Sequence, residues 1–216
     1  MELNSYIDHT LLKANVRLSE IDELCAQAVE NNFCAVCVNP CNVAYAKQRL
    51  QNSQVKVCTV IGFPLGQNTT ETKVFEAQNA LASGADEIDM VINVGRLLDG
   101  DLEYVAGEIA AVRNACKGSV LKVIIETCYL EPEQIKTITS ICVTAGADFV
   151  KTSTGFGTRG ASLDDVKTIK SAAGNGAQIK ASGGIKTREF AETLILAGAT
   201  RIGTSSGVQL VKEQKR

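Results

Sequence analysis

Short apolar runs alternate with longer stretches of helical periodicity along the whole chain. The runs at 6–8, 35–38, 55–61, 87–92, 120–125, 148–151, 179–181 and 201–203 are short and mostly apolar, and read as buried strands. Between them, apolar residues recur at spacings of three and four. Ile21, Leu24, Cys25 and Ala28 share one helical face, as do Val105, Ile109, Val112 and Cys116, and then Ile135, Ile138 and Cys142. Val74, Phe75, Gln78 and Leu81 mark another helix, Val166 and Ile169 a further one, and Phe190 and Leu194 the next. Ser19 with Asp22, Asn68 with Glu71, and Ser162 with Asp165 have the spacing of capping boxes. Thr187 offers a cap, and Pro132 suits a first helical turn.

Three junctions repeat one pattern: Ser83-Gly84-Ala85-Asp86, Ala145-Gly146-Ala147-Asp148 and Ala197-Gly198-Ala199-Thr200. In each, a glycine just past a helical stretch leads into an apolar run, as in a short helix-to-strand loop. Strands alternating with helices imply a parallel sheet, and about eight such units is the number that closes a (β/α)8 TIM barrel of the α/β class. The competing arrangement, an open doubly wound sheet, lacks a GxGxxG after its first strand. No linker or low-complexity stretch divides residues 1–216, so one domain is expected.

Composition narrows the function. A net charge of −2 gives no global attraction to nucleic acid or an anionic membrane. No apolar run approaches the roughly 18 residues of a membrane span, and the first residues lack the pattern of a signal peptide, so a cytoplasmic protein is expected. The chain has eight cysteines, but its size does not require disulfides. Cys34 and Cys37 lie an odd number of residues apart on one strand and face opposite sides, which argues against a metal cluster with Cys41. The single His9 excludes a multi-histidine site and is read as structural.

The chemistry concentrates in two similar segments. Asp148-Phe149-Val150-Lys151-Thr152-Ser153-Thr154-Gly155 carries a lysine at the end of an apolar run, followed by hydroxyl residues and glycine. Gln178-Ile179-Lys180-Ala181-Ser182-Gly183-Gly184 repeats the arrangement. Burial disfavours an ammonium, and two lysines sharing one pocket should disfavour each other's charge, leaving a nucleophilic amine. Glycines and small hydroxyl residues after the seventh and eighth strands, including Gly203-Thr204-Ser205-Ser206-Gly207, suit a phosphate cradle. Strand alternation aims Asp89, Val91 and Asn93 into the barrel. By the same parity Lys122 and Glu126 form a second charged layer.

Taken in order, these segments resemble the deoxyribose-phosphate aldolases. The resemblance rests on Tyr6-Ile7-Asp8-His9-Thr10-Leu11-Leu12, Gly62-Phe63-Pro64-Leu65-Gly66, Glu87-Ile88-Asp89, Val123-Ile124-Ile125-Glu126-Thr127, Val150-Lys151-Thr152-Ser153-Thr154-Gly155-Phe156, Lys180-Ala181-Ser182-Gly183-Gly184 and Gly203-Thr204-Ser205-Ser206-Gly207. It implies a class I aldolase that needs no metal or other cofactor and cleaves 2-deoxy-D-ribose 5-phosphate to acetaldehyde and D-glyceraldehyde 3-phosphate. It also implies a homo-oligomer, dimer or tetramer. Lys151 matches the Schiff-base lysine, and Lys180 and Asp89 the proton-transferring pair. Asp8, Thr10 and Cys37 match substrate-pocket positions, and Gly155, Gly183, Gly184, Gly203, Ser205 and Ser206 the phosphate cradle. Two features depart from the pattern. Phe156 stands where some members carry a phosphate-binding lysine, so Lys186 or Arg159 is expected to supply that charge. The last residues, Glu213-Gln214-Lys215-Arg216, offer no counterpart to a tyrosine that ends some members.

Overall fold

Eight parallel strands close on themselves in chain order in the computed structural model, which describes residues 1–212. The strands are β1 (Ile7–Leu11), β2 (Ala35–Val38), β3 (Lys56–Ile61), β4 (Glu87–Val91), β5 (Val120–Ile124), β6 (Phe149–Lys151), β7 (Gln178–Ser182) and β8 (Arg201–Thr204). The helices are α1 (Leu18–Glu30), α2 (Val43–Arg49), α3 (Thr70–Ala82), α4 (Val94–Leu98), α5 (Leu102–Ala115), α6 (Pro132–Thr144), α7 (Leu163–Ala173), α8 (Arg188–Leu196) and α9 (Gly207–Lys212). β1 closes the barrel against β8 through the pairs Ile7–Ile202 and Asp8–Gly203. The alternation of strand and helix thus produces a (β/α)8 barrel. The four C-terminal residues named above lie outside the described part.

The strands separate two environments. Ile7, Val36, Val57, Ile88, Met90, Leu121, Val123, Val150, Ile179 and Ile202 pack outward with the helix residues in the main core. Fully removing such side chains from water contributes roughly 1.5–3 kcal/mol each. The inward positions divide again. Ala35, Cys37, Cys58 and Val60 form a small apolar cluster with Leu12, while charged side chains from β1 and β4 to β8 occupy much of the remaining interior beside Val91, Ile124 and Phe149. Gly84, Gly146 and Gly198 have φ of 101°, 79° and 120°, the left-handed geometry expected where each helix hands over to its strand.

Several local expectations are corrected. α1 begins at Leu18 with Arg17 as its cap, whose N–H donates to Glu20 at 2.9 Å, so Ser19 sits inside the first turn. α3 is capped by Thr69 and not by Asn68. Its buried face is Lys73, Ala77 and Ala80, whereas Phe75 is 67% exposed. The stripe shifts because Lys73 finds polar partners inside. Asn93 does not enter the barrel: β4 ends at Val91, and the Asn93 side chain caps α4 by accepting the Arg96 N–H. Ser162 and Thr187 cap α7 and α8 as their spacing suggests. Among the described residues no helix is long and apolar enough to cross a membrane.

Candidate active site

Inward positions of six strands bring seven charged groups together. Asp8 comes from β1, Glu87 and Asp89 from β4, Lys122 from β5, Lys151 from β6, Lys180 from β7 and Arg201 from β8. At the lower level Arg201 holds Asp8 at 2.8 Å and Glu87 at 2.9 Å. Lys122 reaches Glu87 at 2.5 Å and Asp89 Oδ1 at 2.8 Å. Above them, Lys180 bridges Asp8 at 2.5 Å and Asp89 Oδ2 at 2.7 Å. Lys151 completes the stack with its own contact to Asp89 Oδ2 at 2.7 Å. One carboxylate, Asp89, therefore binds three lysines.

The electrostatics follow from these contacts. Burial pushes the Asp89 carboxyl up, but Lys122, Lys151 and Lys180 together outweigh it and hold the group well below the usual carboxylate range. Asp8 is lowered for the same reason, with burial opposed by Lys180, Lys122 and Arg201. Burial alone would lower Lys180, yet Asp8 and Asp89 prevail and raise it. This reverses one expectation: Lys180 is kept charged by two carboxylates, not made neutral by a second lysine. It is also deeper than expected, because β7 runs on to Ser182 and leaves Lys180 two residues short of the strand end.

Above the stack opens a cavity of about 250 Å³. Of the expected site residues, Thr10, Lys151, Gly155, Gly183, Gly184, Gly203, Ser205 and Ser206 border it. Asp8, Asp89, Lys180 and Cys37 lie beneath its floor, all of them without exposed surface. Two glycine positions show why the segment reads as it does. Gly183 and Gly184 have φ of 84° and 75°, which turns the backbone sharply after β7. Gly203 leaves room for a neighbour, since a Cβ there would come within 3.0 Å of Lys180 Cε.

Of the two cations expected to serve a phosphate, Lys186 borders the cavity. Arg159 does not; it is engaged by Asp165 and by the Thr127 carbonyl at 3.0 Å. Lys13 borders the cavity too, exposed just beyond β1. Sequence reasoning passed over it, although its place after Thr10-Leu11-Leu12, at the C-terminal end of a barrel strand, was the available signal. Among the described residues no carboxylate borders the cavity, so Lys13, Lys151 and Lys186 give it a positive lining. Phe156 forms one side, edge-on to Phe63 at 5.4 Å.

Other residues sort themselves by geometry. His9 faces the helices, bonded to Gln27 at 2.7 Å. Glu126 does not join Lys122, because the chain turns out of the strand with φ 51° at that residue. Cys37, Cys58 and Asp89 place potential metal ligands within 4.8 Å of one another. Asp89, however, already has three lysine amines within 2.8 Å, and the charge held on Lys122 and Lys180 opposes a further cation there. The Cys37 thiol is pushed down by a hydrogen bond from Cys58, against burial and with help from Lys180.

Proteins similar in sequence and fold point to one family. The sequence profile of the DeoC/LacD family aldolases matches residues 3–212. A deoxyribose-phosphate aldolase of Treponema denticola is 55% identical over 98% of this chain and 99% of its own length. One from Finegoldia magna is 54% identical, covering 98% of this chain and all of the relative. The tetrameric deoxyribose phosphate aldolase of Aeropyrum pernix superposes with a TM-score of 0.90 at 36% identity, over 97% of this chain and 89% of that one. The chain belongs to the DeoC/LacD aldolase family.

Proposed function

We propose that Lys151 is the Schiff-base lysine of a class I aldolase that reversibly cleaves 2-deoxy-D-ribose 5-phosphate to acetaldehyde and D-glyceraldehyde 3-phosphate. One observation carries the assignment. Of the seven charged groups in the barrel, Lys151 alone borders the cavity. Charge counting supports it. Four cations face three carboxylates in the network, and Lys122, Lys180 and Arg201 suffice to balance Asp8, Glu87 and Asp89. Lys151 is the surplus cation, and its deprotonation leaves the interior neutral.

The free amine adds to the aldehyde carbon C1 of the open-chain sugar. The resulting carbinolamine loses water and becomes a protonated imine. As the C3 hydroxyl loses its proton, the C2–C3 bond breaks and its electron pair moves toward the imine nitrogen, leaving an enamine and D-glyceraldehyde 3-phosphate. Protonation of the enamine at C2 and hydrolysis then release acetaldehyde and restore Lys151. Lys180, held charged, is the proton donor of this sequence. Asp89, which touches both lysines, fixes their positions and carries protons between them and a water.

Lys13, Lys186 and the backbone of Gly183, Gly184, Ser205 and Ser206 hold the phosphate and orient the reacting carbon. Thr10 borders the sugar. The reading includes a homo-oligomer, in line with the tetrameric relative and with the exposed apolar side chains Leu65, Phe75 and Leu196. It also includes a cytoplasmic location, where sugar phosphates are retained. Incubation with 2-deoxy-D-ribose 5-phosphate should release acetaldehyde at a rate unaffected by a chelator. No release of acetaldehyde would overturn the substrate, and loss of activity on chelation would overturn the metal-independent chemistry.

A further inference from the structure

Glu126 is a buried carboxylate that the lysine network does not use. It is 3% exposed, and the ion pairs among the described residues do not include it. Its backbone adopts φ 51° and ψ 66°, a left-handed geometry that residues with a Cβ seldom take. The turn swings the carboxylate away from the line of β5 and across to the segment after β6. There the Thr154 N–H donates to Oε1 at 3.2 Å, and the Thr154 hydroxyl donates to Oε2. The same hydroxyl oxygen accepts the Phe156 N–H at 3.0 Å. The chain then passes back over the carboxylate at Gly157, where a Cβ would lie 3.2 Å from Glu126 Cδ and 2.6 Å from Cys128 Sγ.

Thr154, Gly155 and Phe156 border the cavity, while Glu126 lies behind them. We infer that Glu126 is a positioning residue: it fixes the Thr154 hydroxyl and, through it, the Gly155–Phe156 rim against the phosphate end of the substrate. A carboxylate suits this task because it offers acceptors to both donors of one threonine. An amide keeps the shape but loses the charge that strengthens both bonds, and its NH2 would take one of the two positions from which an oxygen reaches the Thr154 N–H, at 3.2 and 3.3 Å. The inference rests on the proposed aldolase reading and adds to it a residue that never touches the sugar.

The test compares substrates with and without the anchor. For Glu126→Gln, the KM for 2-deoxy-D-ribose 5-phosphate should rise about tenfold, the equivalent of one lost charge-assisted hydrogen bond. The kcat should stay within about threefold, and turnover of unphosphorylated 2-deoxy-D-ribose should change no more than that. Thr154→Val should raise the same KM, and the double variant should be no worse than the poorer single one, because both remove one link. If Glu126→Gln fails to fold, Thr154→Val alone carries the expected rise in KM. An unchanged KM, equal losses on both substrates, or additive effects would overturn the role of Glu126. Borohydride trapping of acetaldehyde, which involves no phosphate, separates the two readings. Wild-type protein that traps nothing on Lys151 defeats the aldolase assignment. Intact trapping without the substrate difference defeats the role of Glu126 alone.

Discussion

Among the described residues, lysine is buried against carboxylate in two places, and the two are built to opposite ends. Between α3 and α5, Lys73 donates to the carbonyls of Gly66 and Val91, each at 2.8 Å, and to Glu108 at 2.6 Å. The other Glu108 oxygen accepts the Asn93 N–H at 3.1 Å. One cation meets one anion, every ammonium hydrogen has an acceptor, and neither residue borders the cavity. Burial prevails over the partner here, lowering Lys73 and raising Glu108. In the barrel the partners prevail: Lys122 and Lys180 are raised despite burial and Asp89 is lowered. That network also holds one cation too many, and the extra one faces open space. Buried charge therefore does not mark a site by itself; an unmatched charge beside a cavity does.

The comparison breaks most visibly at Lys151. Lys151→Leu should lower turnover on the order of 10⁴-fold or more, since no other lysine of the buried network borders the cavity. Its melting temperature should hold or rise, because Asp89 keeps Lys122 and Lys180. A large drop in melting temperature would mean that Lys151 is a structural partner like Lys73. The reverse is expected at the closed pair. Lys73→Met strands Glu108 and should cost about 3–5 kcal/mol in urea unfolding, with kcat little changed where the protein remains folded. A kcat below a tenth of wild type under those conditions would erase the distinction.

A smaller effect separates the regions by pH. Asp8 and Asp89 titrate lower in the folded protein than in the unfolded chain, where a carboxyl of this type titrates near about 3.9. As pH falls, the unfolded chain takes up protons first, so the stabilisation is complete above that value and drains away as pH drops through the folded values. Glu108, raised instead, contributes a slope of the opposite sign. Urea midpoints should be nearly level from about pH 7 to 5 and fall below about pH 4. Asp8→Asn should flatten that acid limb. An unchanged slope would show that Asp8 is not held low by Lys180 and Arg201.

Much of this was legible in the chain because barrels impose strong local patterns. Strand starts and ends are recovered within two or three residues where a C′ glycine fixes the handover, as at Gly84, Gly146 and Gly198. Lys151 stood out because an apolar run, a lysine and a glycine-containing segment are adjacent in sequence. What escaped depends on contacts between distant residues. Lys73 reads as a solvated helical lysine until Glu108, 35 residues away, is placed beside it. The left-handed turn at Glu126 has no composition signal, since glycine or asparagine would normally mark it. The short helix α4 is capped by Asn93, a residue that strand parity alone assigned to the barrel.

The central claim is that one interior amine, and only one, is free to bond the substrate. Trapping with borohydride in the presence of acetaldehyde, followed by mass-spectrometric mapping, tests it directly. The account predicts a single reduced adduct, on Lys151, with Lys122 and Lys180 unmodified. An adduct on Lys180 or Lys122, or a protein that turns over substrate yet traps nothing, would contradict it.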